Sequence, residues 1–372
     1  MPFIFYFILP SLSIFLIITI INAVWGPFLR KRYELKEKPL VSVLIPARNE
    51  ENNISTCLQS LVQQDYAPLE IRILDDESQD TTTAIVQKLA AEHPQIHLHS
   101  GKNLPKGWTG KNWACQQLGE QAKGDIFIFT DADNRFEPQA ISRTVAWMQR
   151  YELGMFSVFP QQITASFFEK LIIPVIDLLL YSSLVLWLTY HSRFSSLAAA
   201  NGQWIAFQRQ IYRDLGGHQA VRQQVVEDVE LSRLAKRKGI KTLTGAGTGM
   251  VYGHMYHSAR EVWEGFSKNL FGLVSNKTIP FFVILSSLFL IYILPYFLVI
   301  IPGYLTFSVI ALSLNVFLRL VLAVRFRHPI LLSTVFHPIS LILTIFISLN
   351  SFRKVKWGKI TWKGRNINPR IQ

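Results

Sequence analysis

From Met1 to Leu29 the chain carries no charged side chain, and from Thr278 to Leu318 it again carries none. Stretches of this length and apolarity can cross a bilayer as helices. In hydrocarbon the backbone must satisfy its own N–H and C=O groups, so helix is the only local structure open to them. A polar domain set between membrane segments is therefore expected. The predicted spans are 3–25, 279–301 and 304–324, with Pro302-Gly303 turning the chain between the last two. A further apolar stretch, 330–350, is interrupted by His337-Pro338 and is expected either to span or to be re-entrant. Met1–Leu29 has neither the positive start nor the small-residue cleavage site of a signal peptide, and reads as an uncleaved anchor.

The net charge is +13, which in a soluble protein would suggest nucleic acid. Its distribution argues against that partner. Arg30, Lys31, Arg32, Lys36 and Lys38 follow the first span, and Arg325 and Arg327 follow the third. Arg353, Lys354, Lys356, Lys359, Lys363 and Arg365 lie in a basic tail, 351–372. Juxtamembrane charge of this kind sets orientation and meets anionic headgroups. It predicts that the central domain, 39–275, is cytoplasmic. One span followed by three would leave the basic tail on the opposite side, against the charge rule, and this favours a half-inserted 330–350. Cys57 and Cys115 fall in the central domain and read as reduced structural thiols. Nothing in the sequence specifies an oligomeric state.

Within 39–275, short apolar runs alternate with helical patterns, the mark of an α/β domain. Val41-Ser42-Val43-Leu44-Ile45-Pro46 and Ile71-Arg72-Ile73-Leu74 read as strands, the second ending in Asp75-Asp76. Ser78 or Asp80 is expected to cap the helix that follows. Ile126-Phe127-Ile128-Phe129-Thr130 is a third strand and ends in Asp131-Ala132-Asp133. Strand ends of a parallel sheet are where such folds place ligands. Two carboxylates flanking one small residue repel each other unless a cation lies between them, and a hard divalent ion with substrate phosphates suits the pair. A solvated turn is the plainer reading. No glycine-rich dinucleotide fingerprint and no P-loop is present.

Four motifs in one order resemble family 2 glycosyltransferases: Pro46-Ala47-Arg48-Asn49-Glu50-Glu51, Asp75-Asp76-x-Ser78-x-Asp80-x-Thr82, Asp131-Ala132-Asp133 and Glu227-Asp228. The resemblance implies a GT-A fold flanked by transmembrane helices, and transfer of sugar from a UDP- or GDP-linked donor. It further implies that Pro46, Arg48 and Glu50 line the nucleoside pocket and that Asp76, or Asp75, holds base or ribose. Asp131 and Asp133 would bind Mg2+ or Mn2+, with Asp131 also on the donor, and Asp228 would be the base of an inverting transfer. The plain alternative for Glu227-Asp228 is a helix start, since carboxylates favour the first turn. Lys111, in the loop Pro105-Lys106-Gly107-Trp108-Thr109-Gly110-Lys111-Asn112, could supply charge to a diphosphate. Asn201-Gly202-Gln203-Trp204 and, after it, Leu215-Gly216-Gly217-His218, with Glu227, resemble the family's acceptor side; Gly216-Gly217 by itself reads as a helix stop. His254 and His257 read as packing or hydrogen-bonding residues rather than metal ligands.

The very apolar 167–190 cannot cross the membrane if the metal motif before it and the base after it share a compartment. It is expected to lie in the bilayer surface and guide a lipid acceptor, with a buried core helix as the alternative. The Q-x-x-R-W of processive synthases is absent after the base, which favours transfer of one sugar. Trp263-Glu264-Gly265-Phe266-Ser267-Lys268-Asn269-Leu270 and Ile360-Thr361-Trp362-Lys363-Gly364-Arg365 resemble the branch that glycosylates carotenoids, with ceramide and hopanoid transferases similar. A membrane-dissolved lipid, a carotenoid first, is thus the expected acceptor. A transporter would need more spans and charges along a path. A non-catalytic lipid-binding protein would have no use for Asp131, Asp133 and Asp228 together.

Overall fold

The computed structural model describes residues 2–256, 258–357, 360–362 and 365–367. His257, Lys359, Lys363 and Gly364 lie outside the described residues. The chain divides into two units: one of residues 27–163 and 186–255, the other of 1–26, 164–185 and 256–372.

The first unit is built on a mixed sheet of seven strands: β1 Val41–Ala47, β2 Leu69–Asp75, β3 Ile96–Ser100, β4 Ile126–Phe129, β6 Met155–Phe159, β8 Ile205–Gln208 and β9 Thr242–Ala246. Their order is β3-β2-β1-β4-β8-β6-β9. β1, β2, β3 and β4 run parallel, whereas β8 pairs antiparallel with both β4 and β6. A small second sheet joins β5 Asn134–Phe136, β10 Val251–Gly253 and β7 Gln161–Gln162. The apolar runs of the sequence are continuous because both faces of the sheet are covered. Alternate side chains supply two cores. Val41, Val43, Ile45, Ile126 and Ile128 enter one, while Leu44, Leu74, Phe127 and Phe129 enter the other.

Helices dock on these faces through residues at helical spacing. The helix Ile54–Val62 buries Ile54, Cys57, Leu58 and Leu61 against the first core. Two others, Gly110–Gln121 and Glu227–Arg237, bury Ala114, Cys115 and Leu118, and Leu231 and Ala235, in the second core. Since Lys111, Glu227 and Asp228 stand in the first turns of those two helices, docking them on one face brings the three residues together.

The second unit is mainly helical. Among the described residues, four helices in it are long and apolar enough to cross a membrane: Tyr6–Trp25, Thr278–Leu298, Leu305–Phe326 and His337–Lys356. The last two differ from the spans expected at 304–324 and 330–350. Pro338 starts a new helix, because a proline lacks the N–H a continuing helix needs and disfavours helical backbone before it. Ile330–Val335 is therefore a separate short helix, and the long one runs on to Lys356.

The segment expected as one surface helix, 167–190, is three short ones: Phe167–Ile172, Pro174–Ser183 and Leu188–His191. Its first part groups with the helical unit. Polar side chains of the apolar helices hold it there. Arg319 donates to the Pro174 carbonyl at 3.2 Å and to Ser333 at 2.8 Å. Asn22 donates to the carbonyls of Tyr181 and Leu184, and His328 lies 2.7 Å from the Asp177 carboxylate. Polar groups among apolar helices turn to one another in this way because lipid offers them no partner.

Candidate active site

At the carboxyl end of β1, β2 and β4 three loops converge. The loops after β1 and β2 are laced together by backbone and side chain. Asn49 N–H donates to Ser78 Oγ, Gln79 N–H to Asn49 Oδ1, Glu50 N–H to Thr82 Oγ1 and Glu51 N–H to Asp80. Asn49 and Glu77 hold left-handed backbone, with φ of 53° and 58°, an uncommon conformation that the lacing sustains. Asp80 does stabilise the next helix, accepting from Thr82 N–H at 3.0 Å, although Thr81 occupies the cap position. Arg48 donates to the Asp76 carbonyl and lies 3.7 Å from the Glu77 carboxylate.

The third loop carries Asp131 and Asp133 around the buried Ala132. Cys57 lies beneath it. Burial, then the carboxylates of Asp133, Glu50 and Asp131, push the Cys57 thiol well above its ordinary value. Carboxylate oxygens in one negative field form a hard donor set, suited to Mg2+ or Mn2+ rather than to a soft metal. Among the described residues no three His, Cys, Asp or Glu side chains form a closed metal cluster. Two such carboxylates could supply only part of the shell of that ion, and water and donor phosphates would have to complete it.

Lys111 joins this loop to the other side of the site. Its Nζ lies 2.8 Å from Asp131 Oδ1 and 3.1 Å from Glu227 Oε1. The helix start is held firmly: Thr109 Oγ1 accepts from Asn112 N–H, and the buried Asn112 amide donates to the carbonyls of Val221 and Gln224 at 2.9 and 3.0 Å. Next to Glu227, the Asp228 carboxylate accepts from Gly202 N–H at 2.7 Å and Val229 N–H at 2.8 Å. Burial and the neighbouring Glu227 charge raise its pKa to about 7, despite Lys111 and the two N–H donors. Lys111, Asp131, Gly202, Glu227 and Asp228 line a narrow cleft, shared with Pro46, Cys115, Phe129, Thr130, Ile205, His218 and Leu231.

A family model described as "Glycosyl transferase family 2" matches residues 42–174. This chain carries a family 2 glycosyltransferase domain. It is similar to a 4,4'-diaponeurosporenoate glycosyltransferase of Staphylococcus haemolyticus, at 27% identity over 91% of both chains. A Staphylococcus aureus protein of the same name is 26% identical over 68% of both. Among solved structures, a mannosyltransferase from Pyrobaculum calidifontis, in complex with GDP-Man and Mn2+, matches 94% of this chain and 96% of its own, at 19% identity and a TM-score of 0.59. The fold of this glycosyltransferase is accordingly GT-A.

Several expected site residues stand elsewhere than the cleft. Trp204 is fully buried and donates from Nε1 to Thr144 Oγ1. Gln203 is buried too: its carbonyl accepts from Thr130 Oγ1 and Asn134 Nδ2, and its amide pairs with Asn134 and Gln162. Asn201 Oδ1 accepts from Gln203 N–H. Gln203 and Trp204 are thus turned into the packed interior just before β8, while Asn201 is half-buried. From the acceptor-side group, Gly202, His218 and Glu227 line the cleft. The Asp75 carboxylate is engaged in its own turn, accepting from Ser78 N–H and Thr83 Oγ1, and Asp76 is buried beside it. His254 donates its backbone N–H to the Asp133 carbonyl.

His218, at the end of Leu215-Gly216-Gly217-His218, lines the cleft beside Tyr212, with its Nδ1 2.8 Å from the Tyr212 hydroxyl. Burial, then the Lys111 charge, lowers its pKa to about 3, so the ring is neutral.

Proposed function

We propose that this glycosyltransferase moves one sugar from a UDP- or GDP-linked donor to a hydroxyl or carboxyl group of a membrane-dissolved lipid, a carotenoid, inverting the anomeric carbon. The single observation that carries this is the cleft in which Lys111 ties Asp131 to Glu227 beside Asp228. The names of the staphylococcal relatives support the carotenoid acceptor, and the juxtamembrane basic residues support a multi-pass protein with its sheet domain in the cytoplasm.

On this reading Pro46, Arg48, Glu50 and Asp76 hold the nucleoside. Asp131 and Asp133 would hold Mg2+ or Mn2+, which when bound supplies positive charge to the leaving diphosphate. Lys111 adds a point charge to the same phosphates. The acceptor oxygen attacks the anomeric carbon from the face opposite the diphosphate, forming the new C–O bond as the bond to phosphate breaks. With a hydroxyl acceptor, Asp228 takes the released proton. Its raised pKa matches the task, because a base near neutrality is both ionised and basic enough to act.

Membranes containing the full chain, incubated with labelled UDP- and GDP-sugars and a carotenoid alcohol or acid, should yield a labelled lipid. Donor cleavage with label appearing only in free sugar would overturn the lipid acceptor.

A further inference from the structure

The reading of Asp131 as a metal ligand meets one obstacle in the structure: the oxygen it needs is already held. Lys111 Nζ sits 2.8 Å from Asp131 Oδ1, and an ammonium at that distance from an oxygen repels a divalent ion approaching the same oxygen. Nor is this a loose surface lysine. A Cβ on Gly202 would lie 3.1 Å from Nζ and 3.3 Å from Glu227 Oε1, so Gly202 forms a close roof over the ammonium. The backbone below is fixed by the Thr109 cap and by Asn112. Only the four-carbon stem of the lysine has freedom to move.

Without Lys111, the carboxylates of Asp131, Glu227 and Asp228 would face one another in a half-buried cleft and repel. The ammonium meets two of them directly, and its field reaches the third. We propose that Lys111 is the resident counter-ion of the donor-free site, withholding Asp131 from metal until the donor diphosphate gives the ammonium another anion. The proposal rests on the metal reading above. It makes nucleotide and metal binding interdependent through a single side chain, beyond any direct chelation of metal by the nucleotide.

The test is Mn2+ binding to the detergent-solubilised full chain, read from the electron paramagnetic resonance of free Mn2+, with and without UDP or GDP. In the absence of nucleotide, Lys111→Met should bind Mn2+ about fivefold or more tightly than wild type, the lower end of a typical coupling. Lys111→Gln keeps hydrogen-bonding capacity toward Asp131 and Glu227, should fold as wild type by circular dichroism, and should show the same gain. Lys111→Arg keeps the charge and should remain close to wild type. Equal or weaker Mn2+ binding by both neutral variants overturns the counter-ion role while leaving the metal site standing. Absence of Mn2+ binding by every variant, with nucleotide present, overturns the metal reading and this proposal together.

Discussion

Asp228 combines three properties that a general base needs: burial, two backbone N–H donors that fix its carboxylate, and a pKa near neutrality. Asp228→Asn keeps the shape and loses the proton acceptor. With a hydroxyl acceptor, turnover should fall about a hundredfold or more while the donor KM stays nearly unchanged, as steady-state transfer of labelled sugar can measure. A carboxylate acceptor has no proton to give up at neutral pH, so the same variant should then lose much less. The pH dependence follows from the direction of the shift. A raised carboxylate pKa means the proton is retained to higher pH, so hydroxyl transfer should rise as pH increases through about 7 and level off above it. The same group adds stability below the ordinary carboxylate range and loses that contribution through about 7. Asp133→Ala should abolish transfer without unfolding the protein. Full activity of the wild type in excess EDTA would count against the metal role.

At the scale of elements, the site depends on where two helices begin. Asn112 pins the start of Gly110–Gln121 to the loop before Glu227–Arg237 through two buried hydrogen bonds. Asn112→Ala leaves the Val221 and Gln224 carbonyls without those donors, a loss of about 1–3 kcal/mol. A lower thermal midpoint, together with a raised donor KM as Lys111 loses its anchorage, is the expected result; an unchanged midpoint would show that the pin is dispensable. The apolar segment from Phe167 to His191 is broken at Pro174 and again after Ser183. Leu179 and Leu180 are half-buried in its middle helix. If this segment handles the long acceptor, Leu179→Lys or Leu180→Lys should reduce lipid glycosylation far more than hydrolysis of the nucleotide-sugar, because the added charge disturbs apolar contacts and not phosphates. Equal loss of both activities would assign the segment to the packed core.

At the scale of the molecule, the basic end of His337–Lys356 is where the topology can be tested. Arg353, Lys354 and Lys356 crowd its last turn, and we infer that this end stays on the cytoplasmic side, as the charge rule requires. The helix has the lowest mean hydropathy of the four, 1.3 against 2.2–2.4, and carries buried Ser340, Thr344, Ser348 and Ser351. Trp357 is exposed, whereas the two native cysteines are buried. A cysteine placed at Trp357 should therefore react with an impermeant maleimide in inside-out vesicles and not in intact cells. The reverse pattern would establish four full crossings.

Much of this arrangement is legible in local sequence. A strand buried on both faces is a continuous apolar run, and its end is marked by the polar residues that follow, so Asp131 and Asp133 can be placed without coordinates. Lys111 and Asp228 stand out because a helix start after a loop is also a local pattern. Sequence cannot show which loop side chains turn inward. Gln203 and Trp204 are buried because Thr130, Asn134 and Thr144, far away in the chain, supply their partners. Asp75 and Asp76 are neighbours with identical chemistry, and only the tertiary turn shows that the Asp75 carboxylate is taken up by Ser78 and Thr83. The contact between Lys111 and both Asp131 and Glu227 is likewise tertiary: it exists because two helices dock on one face of the sheet, and the Coulomb attraction that then ties them acts only at that distance.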